Sequence, residues 1–174
     1  MANTAKRPAS KPASRLGTPT DLSPKGVEAI SAELRKLLAD TFALYIKTKN
    51  FHWHVSGPNF RDYHLLFDEH ASQIYDSTDE LPERARKIGG RTIRSIGEIA
   101  KLSRVKDNDE AFVSPIDMLR ELMDENKKMM KRMRDVHAIC DKYDDVATAS
   151  ILENFIDQTA RDRKSTSMNS SQTV

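Results

Sequence analysis

Apolar residues recur every three or four positions through four long stretches of the chain, and this spacing predicts amphipathic helices. Serine followed by proline opens two of these stretches, because serine caps a helix N-terminus and proline suits the first helical turn. The predicted helices begin at Ser23, at about Asn59, at Ser114 and after a turn at residues 143–145. A shorter amphipathic stretch at residues 93–102 joins the second helix to the third. The pattern therefore predicts an all-α protein.

The two ends of the chain differ in composition from the helical body, residues 21–160. Residues 1–20 are rich in Ala, Ser, Thr, Pro and basic side chains and have little to bury, so we predict a disordered tail. Residues 161–174 are polar, and we predict a second disordered tail there. The N-terminal tail has no acidic residue, and its cations are Lys6, Arg7, Lys11 and Arg15.

This N-terminal tail concentrates the positive charge of the chain. The formal net charge is +2, so the chain without the four tail cations carries −2. Such a tail could keep the protein in solution, or it could contact the phosphate backbone of a nucleic acid. Both interpretations are open from the tail residues alone.

The composition fits one soluble domain of 174 residues in a reducing compartment. Cys140 is the only cysteine, which excludes a disulfide framework and a thiolate metal cluster. The sequence shows no signal-peptide pattern and no apolar run long enough to cross a membrane. We therefore predict a cytoplasmic protein with no membrane partner.

Five residues between positions 52 and 83 have imidazole or carboxylate side chains, which bind divalent metal ions. They are His52, His64, Asp68, Asp79 and Glu83. On a helix, His64 and Asp68 share a face, and so do Asp79 and Glu83, because each pair is four residues apart. From Asp68 to Asp79, roughly 100° per residue leaves an angular offset of only about 20°. The second helix is thus predicted to carry both pairs on one stripe.

The two pairs on this stripe are too far apart to bind one ion. Their separation along the helix is about 16 Å, at roughly 1.5 Å per residue. A two-fold axis near residues 73–74 would place the Asp79 and Glu83 of an antiparallel copy beside His64 and Asp68. Because such a contact is isologous, it would create two equivalent sites at once.

The turn at residues 56–59 brings the end of the first helix beside the second, so His52 would complete each site. Pro82 lies between Asp79 and Glu83, where it deletes a helical hydrogen bond at a cost of about 3 kcal/mol. We expect a kink there. The alternative for the five residues is a set of solvated carboxylates and hydrogen-bonded histidines. Their consistent geometry favours the metal site. His54 and His70 are predicted to lie on the surface.

Residues 50–90 resemble the DNA-binding protein from starved cells (Dps). The likeness rests on the pattern N-F-H-W-x-V-x-G-P-x-F-x-x-x-H-x-x-x-D at residues 50–68, followed by D-x-x-x-E-R and I-G-G. Dps is a branch of the ferritin-like family, and the likeness extends with lower specificity from about residue 22 to about 160. It implies a ferritin-like four-helix bundle with a short helix in the crossover connection. It also implies a hollow dodecamer built from dimers.

The resemblance further implies iron chemistry. Family members bind Fe(II) at sites shared across dimer interfaces, with two adjacent iron positions possible, and oxidise it with hydrogen peroxide. All five ligand positions of the family motif are filled here, and Trp53 would lie beside the site. Basic N-terminal extensions in the family bind DNA. An acidic pore that admits iron borders the fourth helix in the family. Asp144 and Asp145 are candidates for this pore, although helix capping explains Asp145 equally well.

Two functions follow from this interpretation. The first is a ferroxidase that stores iron and binds DNA non-specifically at the nucleoid. The second is a structural, nucleoid-condensing particle whose metal site is not catalytic. An ordinary ferritin is disfavoured, because the sequence has no Glu-x-x-His pair of the kind that di-iron bundles place on their inner helices.

Overall fold

The computed structural model describes the backbone of residues 17–171 and the side chains of residues 17–161. This part of the chain forms α1 (Pro24–His54), α2 (Phe60–Lys87), α3 (Ile96–Leu102), α4 (Pro115–Lys142) and α5 (Val146–Ser171), and it contains no strand. α1 packs along α2 and α4 packs along α5, while α1 also contacts α3 and α4. The predicted all-α bundle of four long helices with a short crossover helix is therefore confirmed.

Local capping explains where three of the helices begin. The hydroxyl of Ser23 accepts a hydrogen bond from the Gly26 amide at 3.1 Å, and Ser114 accepts one from the Asp117 amide at 3.2 Å. Ser95 caps α3 in the same way, so α3 begins three residues later than the apolar pattern predicted. Both serine–proline starts predicted from the sequence are confirmed.

Two clusters of apolar residues form the core of the bundle. The first joins α1, α4 and α5 to the C-terminal half of α2, and it includes the fully buried Cys140. The second joins the C-terminal half of α1 to the N-terminal halves of α2 and α4. Phe51 and Phe67 meet in this second cluster with ring centroids 6.4 Å apart. This contact fixes the end of α1 against α2, one residue away from His52.

A buried ion pair attaches the crossover connection to the bundle. Asp40 of α1 is fully buried, and it accepts hydrogen bonds from the backbone amide of Arg104 at 2.6 Å and from its guanidinium at 2.7 and 3.0 Å. The Arg132 guanidinium of α4 lies 3.3 Å from the same carboxylate. The crossover is thus connected to both α1 and α4.

The C-terminus of α2 supports the segment that precedes α1. Gly89 has a φ of +89°, a left-handed conformation that ends many helices, and the Gly90 amide bonds to the Ala85 carbonyl at 2.9 Å. The carbonyl oxygen of Thr18 lies only 2.9 Å from the point that a Cβ on Gly89 would occupy. Glycine is therefore required here for two reasons, its backbone conformation and the close approach of residues 17–20.

α5 continues to Ser171, whereas the sequence was interpreted as a polar tail from residue 161. Residues 161–171 contain no glycine or proline, so their backbone preferences do not end the helix, and polarity alone does not exclude helical structure. The helical body therefore extends beyond the boundary predicted at residue 160. Residues 1–16, which include all four tail cations, lie outside the described part of the chain.

Candidate metal centre

His52, near the end of α1, and His64, in the second turn of α2, face each other across the α1–α2 turn. Their rings are stacked with centroids 3.8 Å apart and an interplanar angle of 25°. Nδ1 of His52 lies 2.8 Å from the backbone oxygen of His64, and Nδ1 of His64 lies 2.9 Å from the backbone oxygen of His52. The predicted juxtaposition of the two histidines is therefore present within one chain.

The reciprocal hydrogen bonds decide which ring nitrogen is free. A carbonyl oxygen can only accept, so Nδ1 must carry the proton in each neutral ring, and Nε2 then holds the lone pair. The His52 carbonyl is among the last four in α1, which have no N–H donor inside the regular helix, and the His64 ring supplies the donor. Two imidazoles with fixed Nδ1–H groups and free Nε2 atoms are prepared to bind a metal ion.

Asp68 lies next to these rings on α2, with its carboxylate half exposed and 3.9 Å from Nε2 of His52. The ammonium of Lys49 donates a hydrogen bond to this carboxylate at 2.7 Å. That hydrogen bond is the main reason that the pKa of Asp68 is lowered. Asp68 therefore stays ionised at a lower pH than an ordinary aspartate does. Lys49 therefore competes with any metal ion for an oxygen of Asp68.

Asp79 and Glu83 are both exposed on the C-terminal half of α2. The Glu83 carboxylate forms a surface ion pair with Lys87 at 3.0 Å. α2 is one continuous helix through Pro82, so the proline does not break the element that carries these two residues. Among the described residues of a single chain, no group of three or more His, Cys, Asp and Glu side chains could hold a metal ion. One chain thus presents two separate sets of metal-binding side chains rather than a complete site.

The family model for the ferritin-like domain matches residues 31–167, which is most of the chain. A relative named DNA protection during starvation protein 1, from Deinococcus radiodurans, is 31% identical over 134 residues, or 77% of this chain and 65% of that protein. The protein named DNA protection during starvation protein in Helicobacter pylori is 30% identical over 132 residues, covering 76% of this chain and 90% of that protein. The chain belongs to the Dps branch of the ferritin-like family.

Solved structures agree with this membership of the Dps branch. An archaeal Dps homologue from Halobacterium salinarum superposes with a TM-score of 0.79 at 25% identity, covering 91% of this chain and 92% of the other. A Dps protein from Bacillus brevis, 24% identical, gives a TM-score of 0.80 and covers 84% and 98% of the two chains. A Dps protein from Vibrio cholerae, 20% identical with a TM-score of 0.80, is described as a member of a broad superfamily of ferritin-like diiron-carboxylate proteins. At these identities the second and third comparisons establish the fold only.

Trp53 of this Dps-family chain follows His52 in α1 and lies on the surface. Its side chain is 60% exposed, and the Lys49 ammonium lies 6.0 Å from the centre of the indole ring. Because the same ammonium binds Asp68, the indole is one side chain away from the carboxylate.

The remaining histidines of α1 and α2 differ in their environments. His54 is exposed, as predicted, and its Nδ1 lies 2.8 Å from the Asn50 carbonyl. His70 is 4% exposed, so its predicted surface position is wrong. The sequence did hold a signal for burial, because His70 follows Phe67 by three residues and Leu66 by four, and both of these face the core. Burial lowers the pKa of His70 below the usual histidine value.

The two acids before α5 of this Dps-family chain have different roles. Asp145 is buried, accepts a hydrogen bond from the Arg84 guanidinium at 2.6 Å, and caps α5 by accepting the Thr148 amide at 3.1 Å. The capping alternative for Asp145 therefore agrees with its contacts. Asp144 is exposed and has a φ of +58°, so it stays a candidate for the predicted pore.

Lys49 is the residue at this site that the sequence interpretation missed. It precedes His52 by three residues, so helical spacing already placed the two side chains on the same face of α1. Within the part of the chain that the structure describes, no helix is long and apolar enough to cross a membrane.

Proposed function

We propose that this Dps-family chain is a ferroxidase and iron store that also binds DNA. Fe(II) is its substrate, bound where His52, His64 and Asp68 of one copy meet Asp79 and Glu83 of another. The observation that supports this most directly is the pair of reciprocally bonded imidazoles beside Asp68. Their Nε2 atoms have no assigned partner in the neutral state, and one chain alone does not supply the remaining carboxylates.

The position of the two ligand sets on α2 favours sharing between copies. The sets lie on one stripe of one helix, about 16 Å apart at roughly 1.5 Å per residue. Two antiparallel copies of α2 would bring opposite sets together twice, once at each end of a symmetric contact. Exposed apolar side chains on α1 and α2 are available to be buried in such a contact, and burial of apolar surface favours association. These are Ile46, Trp53, Leu65 and Tyr75, each about half exposed or more.

The mixed imidazole and carboxylate ligands suit Fe(II), and they leave coordination positions open to an oxidant. Two Fe(II) ions give one electron each to hydrogen peroxide. With two protons, the products are two Fe(III) ions and two water molecules. Two adjacent iron positions would let both electrons leave together, so that no hydroxyl radical is released. We propose that the ferric product is stored inside a hollow dodecamer built from these dimers.

The N-terminal tail extends the proposal to DNA. Lys6, Arg7, Lys11 and Arg15 provide cations without acidic neighbours, and twelve such tails on one particle would bind through a high effective concentration. The protein would therefore be cytoplasmic and associated with the nucleoid. The alternative is a structural particle that condenses the nucleoid, with a metal site that only holds the dimer. Peroxide consumption that depends on Fe(II) distinguishes the two functions.

Mixed particles test the shared site. One variant combines His52→Asn, His64→Asn and Asp68→Asn, and the other combines Asp79→Asn with Glu83→Gln. Each variant alone should lack ferroxidase activity. In a mixed dimer one site has all five residues and the other has none, so random mixing should restore about a quarter of the sites, given an isologous contact. If mixed particles verified by mass spectrometry are no more active than either parent, the shared site is wrong.

A further inference from the structure

Residues 84–106, which run from the last turn of α2 through α3 into the following loop, carry an excess of positive charge. Residues 84–106 contain eight basic side chains and one acidic side chain, Glu98. The basic ones are Arg84, Arg86, Lys87, Arg91, Arg94, Lys101, Arg104 and Lys106. The segment therefore has a formal charge of +7, and since the whole chain carries +2, the rest of the chain carries −5.

Some of these cations are used within the fold. Arg84 binds the buried Asp145, and Arg104 binds the buried Asp40. Arg86 donates to the Gly90 carbonyl, and Lys87 pairs with Glu83 on the surface. These contacts explain the positive charge at those positions without a partner outside the chain.

Four cations have no such use, and one of them, Lys106, is followed closely by the acids Asp107, Asp109 and Glu110. Arg91, Arg94 and Lys101 are exposed, and no ion pair with a described residue neutralises their side chains. The one acid within the segment, Glu98, is directed inward. One of its oxygens faces the Arg35 guanidinium at 3.5 Å, and the other accepts the backbone amide of Arg94 at 3.1 Å. We name these three exposed cations, Arg91, Arg94 and Lys101, the crossover patch.

The N-terminal tail leaves the body of the protein beside the crossover patch. Residues 17–20 pass across Gly89, with the Thr18 carbonyl 2.9 Å from where a Cβ would lie, and Gly89 is two residues before Arg91. The tail cation Arg15 is two residues before Gly17. The described end of the tail, residues 17–20, therefore lies close to the start of the crossover patch, and the chain outside the tail and residues 84–106 has a formal charge of −9, since +2 less the +4 of the tail and the +7 of the segment leaves −9.

We propose that the crossover patch is a second contact for the phosphate backbone of duplex DNA, used together with the tail. The inference rests on the DNA-binding half of the proposed function. Exposed cations without acidic partners contribute most to the affinity for phosphates, because no internal ion pair has to break when they bind. The tail captures the duplex, and its attachment beside Gly89 holds that duplex near Arg91. Recognition is of charge and not of base sequence.

Charge-matched variants test the patch. The patch variant is Arg91→Gln/Arg94→Gln/Lys101→Gln in the full chain. The control variant is Lys127→Gln/Lys131→Gln/Arg134→Gln, which removes three exposed cations from α4. Binding to a fluorescent 30-base-pair duplex of mixed sequence is measured by anisotropy from 50 to 200 mM salt. Light scattering confirms that all particles have the same size, and ferroxidase activity is measured on the same preparations.

The patch variant should bind at least about tenfold more weakly at 100 mM salt, and its salt slope should fall by about 0.9 for each phosphate that the variant no longer neutralises. The control should change affinity by less than about twofold. If both variants lose the same affinity for DNA, net charge alone explains the loss and the proposal is wrong. The proposal is also wrong if the patch variant binds as tightly as wild type. In either case DNA binding by wild type would still support the proposed function. Absence of DNA binding by wild type at 50 mM salt would overturn both the crossover patch and the DNA-binding half of the proposed function. The ferroxidase half would then stand or fall on the activity measurement.

Discussion

His52 and His64 hold each other in place through two hydrogen bonds, each from the Nδ1 of one ring to the backbone carbonyl of the other residue. The two helices are therefore connected by the same groups that we propose as iron ligands. In each ring Nδ1 stabilises the helix contact and Nε2 is the proposed metal ligand, so substitutions can separate stability from metal binding.

An asparagine at position 64 should separate these roles. Its side-chain amide can replace Nδ1–H as donor to the His52 carbonyl, but it has no counterpart of Nε2. His64→Asn should therefore weaken binding of Zn²⁺, a redox-inert probe, by at least about tenfold, with little loss of stability. His64→Ala should lose the hydrogen bond as well and be less stable by about 1 kcal/mol. Calorimetric titration and thermal unfolding measure the two effects. Equal unfolding temperatures for the two variants would contradict the bridging role.

Lys49 should weaken metal binding, because its ammonium occupies an oxygen of Asp68. Lys49→Gln should raise the affinity for Zn²⁺ about fivefold, equivalent to the ~1 kcal/mol of two charges about 4 Å apart in water. Lys36→Gln is the control, since Lys36 pairs with Glu33 elsewhere on α1. Calorimetric titration at pH 7 decides the result. A weaker affinity in the Lys49 variant would show that the ammonium supports the site.

His70 should make stability depend on pH. Burial holds its pKa below the ordinary value of 6.5 and outweighs the opposite effect of Glu69. The unfolded chain therefore binds a proton at a higher pH than the folded chain does. Below about pH 6.5 the unfolded state holds more protons, so the free energy of unfolding falls as the pH is lowered. His70→Gln should flatten the decrease in unfolding temperature between pH 7 and pH 5. The exposed His54→Gln should leave the decrease unchanged, and equal profiles for all three proteins would refute the explanation.

Asp144 and Asp145 can be distinguished by the same substitution at each position. Asp145→Asn breaks the ion pair with Arg84 in a largely buried setting, and we expect a loss of about 3 kcal/mol in stability. Asp144→Asn keeps a residue that tolerates the left-handed backbone, so stability should change little. If Asp144 lines the pore, that variant should take up Fe(II) more slowly, and stopped-flow absorbance would detect the change. Normal uptake by the Asp144 variant would place the pore elsewhere.

Local rules explain most of what the sequence predicted correctly. Ser23 and Ser114 cap their helices through hydrogen bonds to residues three positions later. The start of each helix can therefore be predicted from a short stretch of sequence. The pairing of His52 with His64 followed from helical spacing and a short turn. The reciprocal hydrogen bonds did not follow from spacing, because they depend on carbonyl positions after α1 and α2 have packed.

The wrong surface assignment of His70 arose from treating histidine as polar, although its spacing from Phe67 matched the buried face of α2. The end of α5 was misplaced for a related reason, since polar composition was interpreted as loss of helical structure. Asp145 could not be assigned from sequence, because its partner Arg84 is distant in the chain and adjacent only in the fold.

The position of Cys140 bears on how this protein would tolerate the oxidant that we propose for it. Burial raises the pKa of the Cys140 thiol to about 12, so almost none of it is thiolate at neutral pH. Peroxides and alkylating reagents attack the thiolate form, and they need access to it. The only cysteine in the chain is therefore protected on both counts. Repeated turnover with hydrogen peroxide should leave the thiol reduced, so the protein would need no cellular thiol reductant to stay active.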